Sequence, residues 1–140
     1  MTVQANGEEH RATILAANNY ASSLIGQERF EEAKTLMRKT MPVARRVLGE
    51  SNDVRFKTRW NYAKALYRDP DASLDDLREA VTTLEETERT ARRVLGGTHP
   101  TTGRTEVALR DSRAALRARE WGPWYFAFAV AVVAWGVWCR

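Results

Sequence analysis

The chain has almost no cysteine: Cys139 is the only one in 140 residues. That excludes an internal disulfide framework and a cysteine-based zinc site, and it fits a reducing compartment. Histidine is nearly as scarce. Neither His10 nor His99 is accompanied by a nucleophile, a glycine-rich phosphate loop or a metal-ligand spacing. The expectation is no catalytic residue, no metal and no cofactor. No stretch alternates apolar and polar residues for long enough to make a strand, and there is no hairpin signal. The fold class that remains is all-α. There is no Lys/Arg block and no DNA-reading motif, and the net charge of +4 is diluted by acids interspersed over the first 120 positions. Nucleic acid is therefore not the expected partner. The opening residues, with Thr2, Gln4, Asn6, Glu8 and Glu9, are too polar for a secretory signal.

What is present is repetition. Gly7, Gly49 and Gly96 are each followed at +3 and +12 by a similar residue: His10 and Asn19, Asn52 and Asn61, His99 and Ala108. The approach to the last two glycines is identical, Ala44-Arg45-Arg46-Val47-Leu48 and Ala91-Arg92-Arg93-Val94-Leu95. Asn19-Tyr20-Ala21 and Leu24 recur 42 residues later as Asn61-Tyr62-Ala63 and Leu66. A unit of 42 to 47 residues in tandem reads as a solenoid. Such a unit cannot bury its apolar face alone, so it stacks on its neighbours and presents an extended surface.

Residues 1–9 read as a flexible leader. A first helix is expected over about 11–24, broken by Gly26. A second starts near Phe30 and places Phe30, Ala33, Met37, Ala44, Val47 and Leu48 at helical spacing, with Gly49 ending it. Pro42 lies inside it. A proline in a regular helix costs about 3 kcal/mol, so a kink at Thr40-Met41 or a break opened by Pro42 is expected. Ser51, Asn52 or Asp53 can cap a third helix carrying Phe56, Trp60, Ala63, Leu66 and Tyr67. Residues 68–71 form a turn, and Ser73 with Asp76 opens a fourth helix. Its stripe is Leu74, Leu77, Val81, Leu84, Ala91, Val94 and Leu95, ended by Gly96-Gly97. A fifth is expected over about 102–119.

These residues resemble the tetratricopeptide repeat, in the long 42-residue form found in kinesin light chains. Asn18-Asn19-Tyr20-Ala21 is similar to that family's asparagine stretch. Phe30-Glu31-Glu32-Ala33 is similar to the opening of its second helix, and Leu95-Gly96-Gly97-Thr98-His99-Pro100 to its inter-repeat turn. The resemblance implies an α-solenoid of about 2.5 helix pairs over 10–119, in units 10–49, 52–96 and 99–119. The second unit has five extra residues near 69–73, and the third lacks the asparagine and has Arg110 where a small residue is usual. No heptad region of the kind that ties a light chain to its motor is present.

The resemblance also implies a function. In such repeats the first helix of each unit lines a concave face that binds a peptide or partner protein without catalysis. It would place Asn18, Asn19 and Ser22 on that face from unit one, and Lys57, Asn61, Lys64 and Arg68 from unit two. The last four are spaced i, i+4, i+7, i+11 and share one helix face. Three cations and an amide on one stripe suit an acidic extended peptide. The same stripe is equally a solvated charged face. His10 and His99 occupy equivalent positions, which points to a structural role at a helix start. Arg45-Arg46 and Arg92-Arg93 lie near helix ends, where the dipole favours cations. A rival to the binding module is a fragment of a longer array, since about three repeats are needed for stable stacking. An enzyme has no support in the residues.

Residues 121–139 carry no charge, and four of the five tryptophans lie there. Three readings fit. As a helix the segment would span roughly 28 Å, close to a bilayer core, with aromatic residues toward both ends. Arg113, Arg117 and Arg119 before it would then hold the repeats on the cytosolic side, giving a cytoplasmic protein tail-anchored to a membrane. Alternatively it packs on the fifth helix and completes the third unit, or it is sequence foreign to the domain.

Overall fold

The computed structural model describes residues 3–138, and the environment of side chains over 10–138 other than Phe126. Five helices form: α1 (Val3–Gly26), α2 (Phe30–Val47), α3 (Asp53–Tyr67), α4 (Leu74–Leu95) and α5 (Pro100–Trp138). No strand occurs among the described residues. α1 packs on α2 and α3, α3 on α2, α4 and α5, and α4 on α5. The result is an α-solenoid of two helix pairs, α1–α2 and α3–α4, and a half pair contributed by α5. The helices α1, α3 and α5 form one layer. α2 and α4 form the other and meet each other only through side chains, as in the Lys34–Asp76 ion pair at 3.6 Å.

Each boundary has a local cause. α1 stops at Gly26, where Glu28 takes a left-handed backbone (φ 60°) and the Arg29 amide donates back to Leu24 O at 2.8 Å. Of the three cap candidates, Asn52 is the one used, accepting from Val54 N at 2.9 Å. Ser73 and Asp76 close a reciprocal capping box. Gly96 has φ 91°, a conformation that a side chain would oppose. His99 Nδ1 accepts from Thr101 N at 3.1 Å and so caps the start of α5.

The core joins both layers. Ala21, Met37, Tyr62, Ala63, Leu66, Ala80, Leu84, Ala108 and Leu109 form one cluster drawn from all five helices. The alanines let the helix axes approach, and the larger side chains fill what remains. Truncating Leu84, which is fully buried, would cost about 2–5 kcal/mol.

Three expectations about boundaries change. α1 begins at Val3 rather than near residue 11, so the helix runs through most of the expected leader, and His10 lies within it rather than at a helix start. The residues there are mostly helix formers, and Gly7 alone costs only about 1 kcal/mol. α2 continues through Pro42 without a break, because the proline is exposed and the buried face to either side, Met37 and Ala44, stays in phase. α5 does not end near 119. It runs on through Pro123 to Trp138 as one helix, and its apolar part does not turn back to complete the third unit. The described side chains from Trp121 onward are exposed, Gly122 being partly covered. The packed reading of this segment is thereby overturned: it is apolar on every side, so it has no polar face to give to water while the other packs. Cys139, at the end of the expected segment, lies outside the described residues.

Candidate functional site

The stacking of α1, α3 and α5 is fixed by two equivalent hydrogen bonds. Asn18 Nδ2 donates to Thr58 Oγ1 at 2.8 Å across α1–α3, and Trp60 Nε1 donates to Thr105 Oγ1 at 3.0 Å across α3–α5. Each threonine hydroxyl in turn donates to a carbonyl one turn earlier, Val54 O and Thr101 O, both at 2.8 Å. Asn61 Nδ2 adds to the first junction by donating to Asn18 Oδ1 and Asn18 O at 3.1 and 3.2 Å. Buried polar groups need partners, and these arrangements supply them while setting the register of one unit on the next.

This changes the reading of the asparagines. Asn18 is 2% exposed and its amide is held inside the fold, so it is not a surface group available to a peptide. The physical reason is its phase: it sits four residues after Ile14 and three before Ala21, both buried, on the stripe that faces α3. Asn61 is partly buried and spends its donor on Asn18. Asn19 and Ser22 are exposed on α1, and Lys57 is exposed on α3.

Lys64 and Arg68 line a cavity of about 570 Å³ between α3 and α5. Trp60 and Tyr67 from α3 form one wall, and Arg104, Val107, Ala108 and Asp111 from α5 form the other. None of Lys57, Lys64, Arg68 and Arg104 has an acidic partner within 4.0 Å among the described residues. Burial lowers the Lys64 pKa, and the like charges of Arg68 and Arg104 lower it further. Burial pushes the Tyr67 phenol up, against the pull of Arg68. The groove is thus a partly desolvated cationic surface on aromatic and aliphatic walls, with Asp111 as its one acid.

Arg104 and Val107 have no place in the sequence reading, and Trp60 and Tyr67 appear there only as apolar positions of the third helix. The signal was there. Adding the 47-residue offset of Gly49 to Gly96 carries Lys57, Trp60, Asn61 and Lys64 onto Arg104, Val107, Ala108 and Asp111, all of which line the cavity. No cluster of His, Cys, Asp or Glu able to hold a metal occurs among the described residues.

Residues 13–53 match the family model described as tetratricopeptide repeat. The match takes in α1 from Thr13, all of α2 and the turn into α3. No curated protein and no solved structure matches the chain.

Proposed function

We propose that the chain is a non-enzymatic interaction scaffold that holds an acidic, extended peptide of a partner protein in the groove between α3 and α5, the concave face of the array. The observation that carries this reading is the set of cations with no acidic partner among the described residues, Lys64, Arg68 and Arg104, around Trp60, Tyr67 and Val107. An acidic side chain entering the groove relieves the mutual repulsion of the three cations, while its neighbours cover the apolar walls. Lys57, one turn before Asn61 on the same face, extends the cationic track toward Asn19 and Ser22. The likeness to kinesin light chain repeats rests on the 42-residue echo and the Leu95–Pro100 turn, and it makes cargo-type peptides the class to screen first.

An array of acidic peptides bound to the full chain, followed by fluorescence anisotropy on the best binder, tests the groove. Lys64→Glu and Arg104→Glu should each weaken binding on the order of tenfold. Binding that is indifferent to both reversals would place the ligand elsewhere. Asn61→Ala is not a test of peptide contact, because it removes a donor to Asn18.

A second reading concerns residues 121–138, and their exposure favours it. They form an exposed apolar helix of about 27 Å, enough to cross a bilayer core. We infer that this segment tethers the repeats to a membrane on its cytosolic side. Carbonate extraction of tagged full-length protein against residues 1–120 checks it. Full-length protein found entirely in the soluble fraction removes the tether.

A further inference from the structure

On the other side of α3 lies a second cavity of about 570 Å³, in the gap between α2 and α4. Arg45 and Arg46 reach it from the last turns of α2, and Arg55 and Arg59 from the first turns of α3. The two cavities share no lining residue, and Arg59 stands roughly 140° around α3 from Lys64, so this cavity is separate from the groove. Met41, Pro42 and Ala44 supply an apolar wall, and Thr58 and Thr83 also line it. Glu86 is its one carboxylate, which leaves four cations against one anion. None of the four arginines has an ion-pair partner within 4.0 Å among the described residues. Arg59 is partly buried, and its pKa is lowered by burial and then by the charge of Arg55; Glu86 pulls the other way, Arg45 adds a smaller downward push that Glu50 opposes, and the net shift is downward.

Such a cluster sets four like charges around one space with a single carboxylate to offset them. The following unit shows what the repeat does when no ligand is required. The 47-residue offset carries Arg45 onto Arg92, Arg59 onto Glu106 and Met41 onto Glu88. There Arg92 is ion-paired to both glutamates. In the first copy both acidic partners are missing, one replaced by a thioether and the other by a further arginine.

We propose that the cavity between α2, α3 and α4 is a phosphate site, which binds the dianionic phosphate of a small ester or of a phosphorylated side chain on a partner. The net excess of three positive charges calls for more than one negative charge in a compact group. A phosphate monoester carries about −1.5 to −2 near neutral pH. The planar guanidinium fork matches phosphate oxygens two at a time. A lipid headgroup is the less suitable source. The Trp60–Thr105 bond sets the start of α5 beside the middle of α3, and the apolar part of α5 begins at Trp121, sixteen residues and about 24 Å further along.

Isothermal titration of the full chain with inorganic pyrophosphate, with a phosphoserine peptide and with the unphosphorylated peptide, all at one ionic strength, tests the site. The two phosphate-bearing probes should each saturate a single site and the unphosphorylated peptide should not. Tighter binding of the phosphopeptide assigns the site to a modified partner, and tighter binding of pyrophosphate assigns it to a soluble phosphate compound. Arg59→Glu should weaken both by about tenfold or more, and Arg59→Lys by less, since it keeps the charge and loses the fork. Arg68→Glu, in the groove, should change them by less than about twofold. Arg59→Glu places an acid opposite Arg45, as Glu106 stands opposite Arg92, so the fold is expected to persist, and circular dichroism checks it. Absence of saturable binding, or equal weakening by Arg59→Glu and Arg68→Glu, overturns the proposal, because simple charge attraction then accounts for the result.

Discussion

The two inter-repeat junctions are built alike and charged differently. Both use a threonine on the incoming helix, Thr58 or Thr105, as acceptor for a donor on the preceding one. Both follow the same Ala-Arg-Arg-Val-Leu-Gly stretch. At the first junction the cations crowd the α2–α4 side, with Arg45, Arg46, Arg55 and Arg59 around one cavity. On the α1–α3 face of that junction Asn19, Ser22 and Lys57 are exposed. At the second junction the outer arginines are tied down, Arg92 by Glu88 and Glu106 and Arg93 by Glu50, and the cations without an acidic partner among the described residues, Lys64, Arg68 and Arg104, line the α3–α5 groove. A hexapeptide therefore does not determine its own electrostatic role. The residue that the next helix presents to it does, as Arg59 against Glu106 illustrates.

The comparison can be broken in several places. The largest effect is expected at the first stacking bond. Asn18→Ala removes donations to Ile14 O and Thr58 Oγ1 and one of the two acceptors of the Asn61 amide, which keeps its bond to the backbone carbonyl at position 18, so urea unfolding should show a loss of about 2–3 kcal/mol. The equivalent change at the second junction, Trp60→Phe, removes one bond to Thr105 and should cost about 1 kcal/mol. Equal losses would mean that the junctions do not differ in strength. Smaller still are the charge exchanges. Glu106→Arg gives the second junction the character of the first, and the exposure of the Arg92–Glu106 pair limits the loss to about 0.5–1 kcal/mol. Arg59→Glu performs the reverse exchange and should raise the urea midpoint slightly. A drop would show that Arg59 has a stabilising partner in the folded state.

The smallest effect is one of pH. The folded-state pKa of Lys64 lies below its ordinary value, so the unfolded chain binds more protons between the two. The destabilisation caused by its charge is present at neutral pH and is relieved as pH rises through the folded pKa toward the ordinary lysine value. Lys64→Met should flatten this alkaline rise in the urea midpoint relative to the wild-type chain.

Much of the architecture was legible. The capping residues, the turn glycines and the apolar stripes of α2 and α4 follow from local chemistry and helical period, and they gave the helix count and pairing. The course of α5 was not legible, because a proline and an abrupt change of composition at Trp121 are normally signs of an ending. Of the residues expected on a binding face, Lys64 and Arg68 line the groove between α3 and α5, whereas Asn18, in phase with buried Ile14 and Ala21, lies under α3. Its neighbour Asn19, one residue on, is exposed. At a helix edge, 100° of rotation separates core from solvent, and the position of the packing helix decides between them.

The sequence by itself determined an all-α chain of repeated helix pairs, since periodicity, caps and breakers act over a few residues and need no distant partner. Only the tertiary structure decided which charges are satisfied between helices. Arg92 and Arg45 have the same neighbours in sequence, yet one meets Glu106 and the other Arg59 across the interface with the next helix. Coulomb energy depends on separation in space, and that separation is set by how the units stack.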